Sequence, residues 1–440
     1  MSGGPGAPQD PGAAHGAGAA VSRGEARRPG PPGRTAASPA ARAARVLAVR
    51  GRALPWWAHA LLVWAASRAW GWAVYTTVGR RQGPGPWGDG ALGYLAFAGT
   101  WDSDWYERIA EEGYPATVPR DASGRAEENA WAFYPVFPLL VRAVMALTGG
   151  GWDATAAAVS LLAGFGAAVL VLRLFRCLAE PGTALWGLAF VAFAPVAPVL
   201  QVPYAESLHL LLLAAALLLV LRGRHLAAAP VVLLMCLTRP AGVPFAAALG
   251  LTWLVRTVRR ARAGRLRRAR DAVDGLFGLT VLACAAALAW PAIAWWATGE
   301  PTAYTDTETA WRGEDLHLVR PWFETGAELF GPLLGALAPV LLVAAGAVVL
   351  RARVVVARLD LLLRVWIACY AVYLLLFLHP QTSTFRLLLP LFPLALPLAA
   401  LSSSRAYRVA CVLAGAVLQL VWVGWLWHWR QLPGGGDYPP

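Results

Sequence analysis

The sequence predicts an all-α protein that crosses a membrane many times, and three observations carry this. Of 440 residues, 58% are apolar and 14% charged, more apolar surface than a water-soluble domain of this size can cover. The apolar residues fall in runs of bilayer-helix length. The charges between runs are sorted by sign: every basic side chain is Arg, eight lie in 23–52 and eight in 256–270, while 16 of the 25 acids lie in 79–132 and 299–328. A soluble enzyme is excluded. The net charge of +13 alone would suit nucleic acid, but its placement describes membrane orientation instead.

Along the chain, residues 1–45 are Gly, Pro, Ala and Arg with almost no large apolar side chains. They cannot offset their own ordering entropy, so 1–53 is predicted to be a disordered cytoplasmic tail. The first run, 54–78, is too long for a signal-peptide core and is expected to stay as a span. Further runs lie at 154–176, 183–202, 205–221, 225–238, 241–255, 275–297, 329–350, 361–378, 385–401 and 407–427. With the first this gives about eleven helices over 54–428, and 429–440 as a short outer tail. Residues 133–148 are apolar too, but counting them as a span would export every later Arg cluster. They are read as an interfacial segment in a long first outer loop, 79–153. With this parity the Arg-rich turns lie inside, and the polar stretches 79–132, 203–207, 238–240, 299–328 and 379–386 lie outside. Any chemistry is expected there.

Trp101-Asp102-Ser103-Asp104-Trp105-Tyr106-Glu107-Arg108-Ile109 reads as a helix whose Trp101, Trp105 and Ile109 form one apolar stripe, stopped by Gly113. Asp104 has Arg108 at i+4, an ion-pair spacing. Asp102 has Tyr106 there and no evident cation. Asp102 serves either as helix N-cap or as a carboxylate receiving a lipid-borne substrate, and spacing alone favours the cap. Glu206 is equally suited to an N-cap or a substrate contact. Arg239 and Arg386 either snorkel or hold an anionic head group, with His379 beside the same outer turn as Arg386. Trp311, in an outer loop with Tyr304, Asp306, Glu308, Glu314, Asp315 and His317, is a candidate for stacking on a sugar face. Arg68 and Arg142 need partners wherever they lie. Asp-Ser-Asp matches the DxD of soluble glycosyltransferases, a weak match without a nucleotide-binding domain. The five Cys have no metal-ligand spacing and the seven His are scattered, so no metal or other cofactor is expected.

In order, these residues resemble the PIG-V-type GPI mannosyltransferases and their actinobacterial relatives, membrane enzymes of the GT-C superfamily. Trp101-Asp102 with Tyr106, Ile109-Ala110 and Gly113-Tyr114 resembles the family's WD…IA…GY signature. Ala132-Phe133-Tyr134-Pro135-Val136-Phe137-Pro138 is similar to its AFFPL-P segment, Pro203-Tyr204-Ala205-Glu206-Ser207 to P-Y-S-E-S, Thr238-Arg239-Pro240-Ala241-Gly242 to T-R-P-T-G, and Arg386 with Leu389-Pro390-Leu391-Phe392-Pro393 to the late R…FPL segment. The resemblance covers about 54–427. Ala205, Tyr134 and a polar insertion from Thr117 to Asn129 depart from the pattern.

The resemblance implies a GT-C-type bundle and an inverting transfer of mannose from a polyprenyl-phosphate donor to a lipid, glycan or protein acceptor, outside the plasma membrane. It implies Asp102 as the general base, with Asp104, Tyr106, Glu206, Arg239, His379, Arg386 and Trp311 as the substrate-binding set. Arg386 would meet the leaving phosphate without a metal. The rival readings are a transporter or translocase of lipid-linked sugars, and a non-catalytic envelope scaffold.

Overall fold

The computed structural model describes residues 54–440 apart from 267, 312–316 and 433–439. The predicted tail (1–53), Glu314 and Asp315 of the outer loop, and most of the 429–440 segment thus lie outside the described residues.

Among the described residues the chain is helical, with two isolated bridges (Gly85 with Gly88, Arg120 with Ala126) and no strand. The main helices are α1 (Trp56–Gly79), α2 (Asp102–Glu111), α3 (Val136–Thr148), α4 (Trp152–Arg176), α5 (Pro181–Ala192), α6 (Glu206–Leu221), α7 (His225–Cys236), α8 (Gly242–Arg262), α9 (Gly275–Thr298), α10 (Ala303–Ala310), α11 (Arg320–Arg351), α12 (Leu361–Phe377) and α13 (Arg405–Trp422). Four segments are long and apolar enough to cross a membrane: α4, α9, α11 and Arg405–Trp427. The most apolar, α11, keeps Leu329, Leu333, Leu341 and Val348 exposed, as a lipid-facing helix does. Gly331, at φ 78°, breaks it, so the predicted run 329–350 is its second part.

Four expectations change at the breaks. The run 183–202 is not one helix: α5 stops at Ala192 and the chain continues as a 3-10 turn, Ala197–Gln201, because Pro195 and Pro198 cannot donate to a helical ladder. Side chains bond carbonyls along this break, of which Ala194 O also accepts from Ala197 N. Ser67 donates to Ala192 O; Arg68 donates to Ala197 O at 2.5 Å and Ala192 O at 3.1 Å; Gln419 donates to Ala194 O at 3.0 Å. Arg68, fully within the bundle, is a structural pin that supplies donors where the backbone has run out of them. The run 385–401 is likewise broken, into Thr384–Leu387 and Leu389–Ala400, by Pro390, Pro393 and Pro397. The predicted arginine loop is half helix, since α8 runs on through Arg262. In the first outer loop, the buried stripe of α2 is Ser103, Tyr106, Ile109 and Ala110, not Trp101, Trp105 and Ile109, because Trp101 lies before the helix.

Helix direction separates two ends. At one end, α8 finishes while α9 and α12 begin, each capped by an acid: Asp274 accepts from Leu276 N and Phe277 N, and Asp360 accepts from Leu362 N. Both acids also meet α8, in the pairs Arg260–Asp274 at 2.6 Å and Arg256–Asp360 at 3.7 Å. The last turn of α4 and the end of α6 add Arg173, Arg176 and Arg222 around Trp56. The opposite ends of α6 and α12 and the α7–α8 turn converge on a cavity. Sixteen-residue α6 joins the two ends over about 24 Å.

Close approach between helices requires small residues. A Cβ on Gly415 of α13 would collide with the Phe193 carbonyl at the end of α5. Gly415→Val is therefore expected to lower stability by about 1–3 kcal/mol, seen as a reduced Tm in detergent, whereas Gly424→Ala, where a Cβ meets nothing within 4 Å, should leave it close to the parent.

Candidate functional site

The site begins with a strained residue. Trp101 precedes α2 at φ 64° and ψ −124°, a conformation costly for a bulky side chain. It is held from outside: its Nε1 donates to Trp427 O at 2.9 Å and its ring lies against Trp87. Trp427 is buried and donates to Phe97 O at 2.7 Å. This turn aims the next residue, Asp102, back into the molecule.

Asp102 is the first residue of α2 and caps nothing. Its N–H donates to the Tyr204 hydroxyl at 2.9 Å, which in turn donates to Thr100 O at 3.2 Å. Its carboxylate is paired instead: Arg386 Nη1 lies 2.5 Å from Asp102 Oδ2 and 3.3 Å from Glu206 Oε1, and Arg239 Nη1 lies 2.8 Å from the same Oε1. Glu206, the first residue of α6, makes no side-chain cap either. Neither Arg snorkels. The two acids and two Arg form one neutral chain, Asp102–Arg386–Glu206–Arg239, with side chains 18%, 8%, 5% and 17% exposed. Arg386 also lies over the Tyr204 ring, 5.3 Å from its centroid. Its guanidinium lies between the Asp102 and Glu206 carboxylates, which hold it in the charged form. The group is therefore a fixed positive charge.

The chain of charges lies in the wall of a cavity of about 230 Å³. Asp102, Tyr106, Glu206, Arg239, Trp311, His379 and Arg386 all line it; of the sequence-predicted site residues only Asp104 does not. The expected Asp104–Arg108 pair is not made. Asp104 accepts from Trp87 Nε1 at 2.7 Å, and Arg108 stacks over Trp105 at 4.6 Å. Partial desolvation raises the Asp104 pKa, opposed by that indole. The two acids of Asp-Ser-Asp are thus committed to different partners. Trp311 stands at the rim against Trp105 and Phe133, with ring centroids 5.3 and 5.4 Å away. The insertion 117–129 folds onto the α9–α10 region: Arg120 pairs with Glu300 at 2.5 Å and Asp306 at 3.0 Å, and Asn129 bonds Thr307 at 3.0 Å.

Three participants escaped the sequence. His209, one turn after Glu206 on α6, lines the cavity, buried and with no hydrogen bond of good geometry at either ring nitrogen. Tyr370 and Tyr373 line it from α12. A lone His among leucines and Tyr in an apolar run give no signal of their own. The Glu206–His209 spacing of three, which places both on one helix face, could have flagged the first.

The arrangement offers two guanidinium groups for an oxyanion, a carboxylate at the cavity wall for a proton, and aromatic faces at the rim. Among known proteins, no family model and no curated protein matches the chain.

Breaking the charge chain should be costly, since it leaves a buried carboxylate unpaired. Arg386→Met is expected to lose about 3–5 kcal/mol, and adding Asp102→Asn should recover part of it. A double-mutant cycle by thermal or denaturant unfolding should return a coupling of at least about 1 kcal/mol. Additive effects would mean that the pair carries no energy.

Proposed function

We propose that the protein is an integral-membrane glycosyltransferase with a GT-C-like bundle of about eleven spans, moving mannose with inversion from a polyprenyl-phosphate donor to an acceptor hydroxyl on a lipid, glycan or protein. One observation carries the reading: residues from four remote parts of the chain, Asp102, Glu206, Arg239 and Arg386, meet in one cavity, at the end of the bundle away from the arginine turns. The ordered motifs that resemble the PIG-V-type enzymes support the choice of sugar and donor.

In this reading the donor phosphate enters against Arg386 and Arg239 and competes with Asp102 for Arg386. Asp102 is then free to take the proton of the acceptor hydroxyl. The acceptor oxygen forms its bond to C1 from one face while the C1–O bond to the lipid phosphate breaks on the other, and the phosphate leaves with the electron pair toward the two guanidinium groups. Glu206 keeps Arg239 and Arg386 in place. Tyr106, His209, His379 and Trp311 meet sugar hydroxyls and faces.

Purified protein given polyprenyl-phosphate mannose and cell-envelope lipids should yield mannosylated product by mass spectrometry, and Asp102→Asn should lower its rate by at least about 100-fold. Equal product from both proteins would remove Asp102 as base. No product from either, with movement of the donor between leaflets of proteoliposomes, would favour a translocase.

The site is assigned to the extracytoplasmic face of the plasma membrane because the arginine turns belong inside. Ala122→Cys, on the exposed tip of the first loop, should react with an impermeant maleimide in intact cells. Native Cys177, exposed at the arginine end, should react only after lysis. The reverse pattern would overturn the sidedness.

A further inference from the structure

A second recess, separate from the cavity, lies at the arginine end of the bundle. Trp56 opens α1 there, Arg173 and Arg176 stand three apart on the last turn of α4, and Arg222 follows α6; with Cys177 they enclose about 240 Å³. The Arg173 and Arg176 guanidinium groups lie 5.9 and 5.3 Å from the Trp56 ring centroid, and Arg222 Nη2 donates to Cys177 Sγ at 3.6 Å. None of the three Arg pairs with a carboxylate among the described residues.

This contrasts with the rest of that end, where Asp274 and Asp360 answer the Arg residues of α8. The carboxyl ends of α4 and α6 favour nearby cations, but by less than about 1 kcal/mol each when exposed. The two contacts to the Trp56 ring add about 0.5–1 kcal/mol each at an exposed site, and neither effect supplies a counter-charge for three guanidinium groups. A sulfur acceptor adds little. The missing partner is an anion with several oxygens, which planar guanidinium forks bind best when it is a phosphate.

The surroundings select its source. The recess sits where apolar helices end, it is lined by an indole of the kind that settles at headgroup depth, and apolar side chains close by in sequence stay exposed, Trp57 after Trp56 at 47% and Leu226, four residues past Arg222, at 89%. A phosphate tethered to acyl chains can use both features, whereas a free anion uses only the first. A headgroup that carries its own ammonium would bring a fourth cation into the recess.

We propose that Arg173, Arg176 and Arg222, around Trp56, form a binding site for the phosphate of an anionic phospholipid with no amine in its headgroup, with the acyl chains lying along the neighbouring apolar faces. The site is independent of the transferase reading, since it shares no residue with the cavity.

Cys177 reports on it. In detergent micelles, its alkylation by a maleimide, followed by peptide mass spectrometry, should slow at least about threefold when phosphatidylglycerol is added. Phosphatidylcholine at the same mole fraction should not slow it, and neither should inorganic phosphate at the same concentration. Cys284, exposed on α9, should keep its rate throughout. Arg222→Gln, and separately Arg173→Gln with Arg176→Gln, should abolish the protection while eluting as monodisperse protein. These side chains are exposed, and the lipid comparison on the parent protein does not depend on the variants. Equal protection by phosphatidylcholine, by inorganic phosphate or at Cys284, or protection that survives both variants, would overturn the assignment.

Discussion

Arg386 holds the candidate site together. One guanidinium nitrogen reaches Asp102, which begins α2 in the first loop, and Glu206, which begins α6, while the same side chain covers Tyr204. Tyr204 in turn receives the Asp102 N–H. Three regions far apart in sequence are thereby fixed to a single side chain. Such an ion cluster adds little net stability, because desolvation consumes most of the attraction. Its effect is geometric: an unpaired member would be left without water or partner, so alternatives in which the loop, α6 and the late turn separate are strongly disfavoured. Glu206 Oε2 and Arg386 Nε, buried in the same cluster, have no hydrogen-bond partner.

The helix breaks serve the same end. A continuous helix through 385–401 would spread that segment along its axis, whereas the prolines after Arg386 turn it at the cavity mouth and direct the guanidinium inward. The break after α5 has no such site beside it and is repaired by Ser67, Arg68 and Gln419. Two prolyl interruptions in apolar runs thus have different outcomes: one exposes a cation to the cavity, the other consumes a cation from α1.

Much of this was legible in the residues. Composition and the sorting of charge predicted the helical architecture, and α1, α4, α6, α9 and α12 lie within a few residues of their apolar runs. Asp102, Glu206, Arg239 and Arg386 stood out because a charge beside an apolar run must answer for its solvation. Their pairing was not legible, since Asp102 and Arg386 are 284 residues apart and spacing arguments reach only a few residues. That is also why the cap readings of Asp102 and Glu206 looked sound: local rules offered a local partner where a distant one exists. The Asp104–Arg108 pair also gave way, Asp104 to the Trp87 indole seventeen residues earlier and Arg108 to the neighbouring Trp105 ring. The positive φ of Trp101 had no signal at all, because nothing in a tryptophan favours it; the Trp87 ring and the Trp427 carbonyl, the latter more than three hundred residues later, hold it in place.

That last contact sets an order of assembly. The turn presenting Asp102 is made more than three hundred residues before the carbonyl that locks it. Until the closing helix has docked, Trp101 is free to relax into ordinary backbone and carry the acid out of register. The direction of that carboxylate is therefore settled late, by a residue far from it in the order of synthesis.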